Sequence, residues 1–121
     1  MANVKKIIYD IEFTRGDTFN IAIDVSNLTS NDLISAYMTC KEKEEPSGTA
    51  KFVKKLNSGI TKISSGKYKI SLVRADTINL DVEGKYMYDV KVKYDNEIKT
   101  IMSGCFKMLQ NYTTPNDEGS E

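Results

Sequence analysis

An all-β domain, folded as a sandwich or barrel of seven to eight short strands, is what the sequence predicts, and three features predict it. Apolar and polar residues alternate with period two through most of the chain. Clusters of turn-forming residues interrupt that alternation at short intervals. Only one stretch, residues 74–80, has helical character, and its length allows about two turns.

The run Lys85-Tyr86-Met87-Tyr88-Asp89-Val90-Lys91-Val92-Lys93-Tyr94 shows the alternation most clearly. Tyr, Tyr, Val, Val and Tyr share one face, and Lys, Met, Asp, Lys and Lys share the other. An antiparallel sheet with one face on a core and one in water has this pattern, whereas a helix would scatter the aromatic residues around its circumference. The same reading puts Ile7, Tyr9, Ile11 and Phe13 on one face of a first strand, and Phe19, Ile21, Ile23 and Val25 on one face of a second. Residues 33–41 form a third strand. Residues 50–56, with three lysines, form a fourth that suits an edge. Residues 60–63 and 67–73 follow, the latter with Tyr68, Ile70 and Leu72 inward. Residues 98–109 close the fold, with Gly104 marking a bulge or a close backbone approach. The expected core therefore contains Phe19, Ile21, Ile23, Ile70, Leu72, Tyr86, Tyr88, Val90 and Val92, with Lys85, Asp89, Lys91 and Lys93 facing water. Residues 1–110 make one domain, and the polar residues 111–121 read as a C-terminal arm.

Charge excludes some partners. Seventeen basic and 17 acidic residues cancel, so neither duplex nucleic acid nor an anionic membrane surface is an expected partner. Only Arg15 and Arg74 are arginines, which leaves little capacity for bidentate phosphate recognition. Lys5 and Lys6 precede any apolar stretch of signal-peptide length, and no apolar run reaches the roughly 18 residues of a membrane span. Synthesis in the cytoplasm is expected, and with it reduced, buried thiols at Cys40 and Cys105.

Catalytic, cofactor-binding and metal-ligating residues are all expected to be absent. The chain has no histidine, so neither cysteine has an imidazole base, and no phosphate-binding glycine loop or nucleophile elbow occurs. Asp10, Glu12 and Asp24 fall on solvated strand faces, which argues against a carboxylate pair. Arg15-Gly16-Asp17 spells an adhesion tripeptide but is better read as a turn between two strands, with Arg15 capping or pairing with a carboxylate. Asn111-Tyr112-Thr113 matches a glycosylation sequon that has no consequence without secretion. Asp81, Glu83, Asp95, Asn96 and Glu97 lack calcium-loop spacing. Tyr86, Tyr88 and Tyr94 could form a stacking platform, but they share a face with Val90 and Val92 and read as core. Tyr37 and Tyr112 fit neither pattern.

One constellation carries more than composition. Arg15-Gly16-Asp17-Thr18-Phe19 opens the second strand, and Gly66-Lys67-Tyr68 follows Ile60-Thr61-Lys62-Ile63. Asp76-Thr77 and Leu80 lead to Gly84-Lys85-Tyr86-Met87-Tyr88-Asp89-Val90, and Thr100-Ile101-Met102-Ser103-Gly104 follows. In order and spacing this resembles the immunoglobulin-like β-sandwich domain of tailed-phage structural proteins, most of all the N-terminal domain of baseplate upper proteins and its stand-alone relatives. The resemblance covers about residues 8 to 110. It implies an immunoglobulin-like antiparallel sandwich in which Gly84 turns the chain, Tyr86 and Tyr88 fill the core, and Asp89 accepts bonds from a neighbouring loop or Arg15.

The same resemblance implies a non-enzymatic component of a bacteriophage or prophage virion, in baseplate, tail or capsid surface. Its partners would be other virion proteins and further copies of itself, with no cofactor, nucleic acid or membrane. The alternative is a carbohydrate- or receptor-binding sandwich on the particle, which would need exposed aromatic residues.

Overall fold

The computed structural model describes residues 7–113. They form β1 (Ile7–Ile8), β2 (Ile11–Thr14), β3 (Phe19–Asp24), β4 (Ser35–Glu42), β5 (Phe52–Leu56), β6 (Gly59–Ser64), β7 (Lys67–Leu72), α1 (Arg74–Thr77), β8 (Tyr86–Tyr94) and β9 (Glu97–Leu109). Neighbours along the sheet run β1-β9-β8-β4-β5-β6-β7-β3, with β2 also on β9. The path turns over between β5 and β6, where only Lys55↔Gly59 and Leu56↔Ile60 pair. The inward residues of β3, β6 and β7 thereby meet those of β2, β4, β8 and β9 in one core.

This connectivity defines an immunoglobulin-like sandwich. The third, sixth and seventh strands form one layer, as strands B, D and E do in that fold. The fourth, eighth and ninth form the other, as C, F and G do, with β5 added beside β4. Tyr86 at the start of β8 makes the tyrosine corner of the fold: its hydroxyl accepts the Asp81 N–H at 2.9 Å, tying the strand to the loop before it. Gly84 allows that arrangement by absence of a side chain, since a Cβ there would lie 2.6 Å from the Tyr86 ring. Antibody domains carry a disulfide cysteine two residues beyond the corner tyrosine; here that place is taken by Tyr88. One ring contact, Phe13 of β2 on Phe19 of β3, crosses between the layers, and the others join rings within one layer. Phe106 is edge-on to Phe13, Phe52 and Tyr88 at centroid distances of 5.7, 5.4 and 6.3 Å, and Phe13 stacks on Phe19 at 4.7 Å. Each such pair contributes about 0.5–1.5 kcal/mol beyond the area it buries.

The alternation is realised faithfully in β8, where Tyr86, Tyr88, Val90, Val92 and Tyr94 are buried and Lys91 and Lys93 exposed. Ile21, Ile23, Tyr68, Ile70 and Leu72 are buried as well, whereas Phe19 lies half-buried at the rim.

Elsewhere the structure departs from the sequence pattern. Pairing is antiparallel except at β1 and β2, which run parallel to β9, and at the short β5–β6 junction. The expected first strand is interrupted at Tyr9 and Asp10, so that Ile11 and Phe13 are buried but Ile7 and Tyr9 are not. Residues 50–56 are not a free edge, because β5 lies between β4 and β6. One of their lysines has an internal role: Lys54 Nζ sits 2.7 Å from Asp76 Oδ2, both side chains being largely covered. That carboxylate also accepts the Val73 N–H and so caps α1, a single turn within the two that its length allows. The bulge in β9 falls at Ile101, where the register with β8 shifts and two consecutive residues, Ile101 and Met102, turn inward. Gly104 marks the close approach. Cys40 is buried, but Cys105 is exposed, because the alternation of β9 turns it outward between Gly104 and Phe106.

Candidate assembly surface

The rim formed by β1 concentrates exposed apolar side chains. Ile7, Ile8 and Tyr9 are 58%, 68% and 47% exposed, although they stand only two to four residues before the buried Ile11. The parallel register continues from Ile8↔Ser103 to Ile11↔Phe106 with no residue gained or lost. What changes is the partner. Tyr9 N–H still donates to the Ser103 carbonyl at 2.9 Å, but the Cys105 N–H is taken by the Asp10 carboxylate, also at 2.9 Å. At the intervening position the two backbones almost touch. A Cβ on Gly104 would come within 2.3 Å of the Tyr9 carbonyl oxygen, so the contact needs glycine. Tyr88 reaches across the gap and donates its hydroxyl to the same carbonyl at 2.5 Å. Burial, and then the nearby Tyr9 and Asp10, raise the Tyr88 pKa, which keeps the hydroxyl protonated as a donor. The exposed apolar rim is thus fixed to the core by a directed contact rather than left as a frayed end.

A second unpaired edge faces the same side. Among the described residues no strand pairs with the outer edge of β3, and Asn20, Ala22 and Asp24 are exposed along it. Ile7, Tyr9 and Met102 on one layer and Phe19, Asn20, Ile21 and Ala22 on the other line a concavity of about 260 Å³ between the two edges. At the end of β3 the Asp24 carboxylate accepts the Ser26 N–H at 2.9 Å. Bonds from Ser26 hold its pKa below the ordinary carboxylate value, with Lys67 adding to the effect.

The Arg15-Gly16-Asp17 turn is a structural joint. Arg15 Nη1 donates to the Leu80 carbonyl at 2.9 Å, and its Nε donates to Asn111 Oδ1 at 3.0 Å. Gly16, at φ +87°, donates its N–H to Thr77 Oγ1 at 2.9 Å. Of the two expected roles, Arg15 therefore takes the capping one, binding a carbonyl and a side-chain amide. Asp89 is not its partner: it lies on the outward face of β8, opposite Thr39 and Ser103. Asn111, which the sequence assigns to the arm, is fastened to the sandwich by Arg15. Residues 114–121, the rest of the arm, lie outside the described residues.

The remaining sequence candidates separate. Asp81 and Glu83 precede β8, while Asp95, Asn96 and Glu97 lie at its far end or beyond it. Asp95 there accepts bonds from Thr29 and Asn31 at 3.2 and 2.8 Å. Among the described residues no three acidic or thiol groups converge as metal ligands. Tyr86, Tyr88 and Tyr94 are at most 5% exposed and offer no ring face to a base or sugar. Tyr37 is 43% exposed, set between Lys55 and Lys91 on the outward face of β4, and Tyr112 is 89% exposed. The β3 edge was missed at the sequence level; the signal was there, since Asn20, Ala22 and Asp24 carry no lysine or proline to guard an edge.

No family model matches the chain, and no curated protein matches it. Among solved structures it is similar to the extracellular fragment, with its stalk region, of novel immune-type receptor 11 from Ictalurus punctatus. The two are 13% identical with a TM-score of 0.44, over 98% of this chain and 95% of that one.

Proposed function

We propose that this chain is a non-enzymatic structural domain of a bacteriophage or prophage virion that works by docking on neighbouring virion subunits. The observation that carries the reading is the β1 rim: Ile7, Ile8 and Tyr9 are exposed on an edge with which no described strand pairs, yet the rim is tied to the core through Gly104 and Tyr88. An exposed apolar strand edge invites aggregation in a free protein and is retained where a partner covers it. The virion setting comes from the resemblance carried by the Gly-x-Tyr-x-Tyr-Asp run at residues 84–89 and its companions.

Docking is tested by replacing Ile8 with lysine. The side chain is largely exposed, so the fold is retained, while a charge at the rim abolishes co-purification with particles. Incorporation of Ile8→Lys at the wild-type level contradicts the reading. The carbohydrate-binding alternative rests on the exposed aromatic residues Tyr9, Tyr37 and Tyr112, and a glycan array with Tyr37-dependent binding would favour it.

A further inference from the structure

We propose that two copies of this chain join edge to edge along β3, antiparallel about a two-fold axis at Ala22, making one continuous sheet from the β6-β7-β3 layers of both. The inference names a partner for the assembly reading above and does not depend on the virion setting.

Backbone direction comes first. Just past β3, Val25 N–H donates to the Gly66 carbonyl at 2.8 Å, in register with the β3–β7 ladder. In an antiparallel pair successive residues point their N–H and C=O groups to alternate sides. Ile23 and Ile21 therefore bond to β7, and Asn20, Ala22 and Asp24 aim theirs out of the edge that no described strand covers. These three residues are also the ones whose side chains face solvent.

The edge is self-complementary in one register. With Ala22 opposite Ala22, each outward residue meets a residue whose backbone groups point back at it, so donors and acceptors pair reciprocally. Asn20 then lies opposite Asp24 of the second copy, and its side-chain amide can donate to that carboxylate. The small Ala22 side chains meet at the axis, with Lys69 of each copy displaced beyond them on β7. Sliding by two residues in either direction leaves Asp24 without Asn20, and sliding by four in one direction opposes two Asp24 carboxylates. Like charges directly opposite each other are destabilising, so the Ala22 register is selected.

Nothing in β3 blocks the approach. It carries no lysine, proline or bulge, and its pairing with β7 is unbroken from Phe19 to Asp24. A second copy on this edge also lies against the concavity lined by Ile7 and Tyr9, and covers apolar surface that is otherwise exposed.

Analytical ultracentrifugation of the full chain over a micromolar concentration series tests the proposal. The wild type should sediment with twice the mass of one chain. Ala22→Lys and Ala22→Glu, each placing like charges face to face at the axis, should sediment as monomers that keep the wild-type far-ultraviolet circular dichroism spectrum. An equimolar mixture of the two should regain the doubled mass. Hydrogen exchange should show the Asn20, Ala22 and Asp24 amides protected in the wild type and at least tenfold faster in Ala22→Lys. A monomeric wild type, or an Ala22→Lys that dimerises as the wild type does, overturns the proposal. A dimer split by Ile8→Lys but not by Ala22→Lys also overturns it, and leaves the β1 docking reading standing. An intact β3 dimer that is absent from particles supports it and defeats the virion reading alone.

Discussion

Tyr88 donates its hydroxyl to the carbonyl of Tyr9 at 2.5 Å, over the one position of β9 that has no side chain, Gly104. The contact spans 79 residues of sequence and fastens the exposed rim strand to the core of the opposite end of the chain. Two substitutions separate its parts. Tyr88→Phe keeps the ring against Phe106 and removes only the hydrogen bond, so it should cost about 1 kcal/mol. Gly104→Ala forces the Tyr9 backbone away and should cost about 1–3 kcal/mol, in the range of overpacked sites. Urea unfolding measures both. In each variant the amide of Tyr9 should exchange faster than in the wild type, and Gly104→Ala should show the larger effect.

Tyr86 tests the corner in the same way. Its hydroxyl accepts the Asp81 N–H, and phenylalanine leaves that donor without its partner. Tyr86→Phe should lose about 1–2 kcal/mol by urea unfolding, with the core otherwise intact. A loss within error of zero would mean that water replaces the hydroxyl without cost.

The two cysteines should behave as unlike thiols. Cys105 is exposed and Cys40 is buried. A mild alkylating reagent should add to Cys105 alone in the native protein, and to both in denaturant, as mass spectrometry of the intact chain would read.

Cys40 also confers a pH dependence. Burial pushes its thiol up to about 12, against an ordinary value of 9.0. The folded state therefore keeps the proton after the unfolded state has lost it. Stability from this group is complete below the unfolded pKa and falls as pH rises from about 9 towards 12, by an amount on the order of 3–4 kcal/mol. Between pH 8 and 11 the wild type should lose more stability than Cys40→Ala, which has no proton to release. Parallel pH profiles for the two would contradict the assignment.

Much of this fold is written in local pattern. Tyr86 to Tyr94 alternates cleanly because one face of β8 meets the core and the other meets water, and the sequence reports both. The path of the first strand is not written locally. Ile7, Tyr9, Ile11 and Phe13 share a period, but the near-contact of Tyr9 with Gly104 diverts the chain, and that contact depends on residues 95 positions apart. The role of Lys54 is hidden for the same reason: its partner Asp76 comes from a distant turn, and in the sequence it reads as one more edge lysine. β3 is legible as a strand, and its want of lysine and proline is legible too, while the sheet order shows that no described strand pairs with its outer edge.

The direct test of the assembly reading is quantitative mass spectrometry of density-purified particles from cells that produce both the chain and virions. The chain should be present in a fixed ratio to the major structural proteins through successive purification steps. A chain abundant in the lysate but absent from the particles would contradict a structural role in the virion.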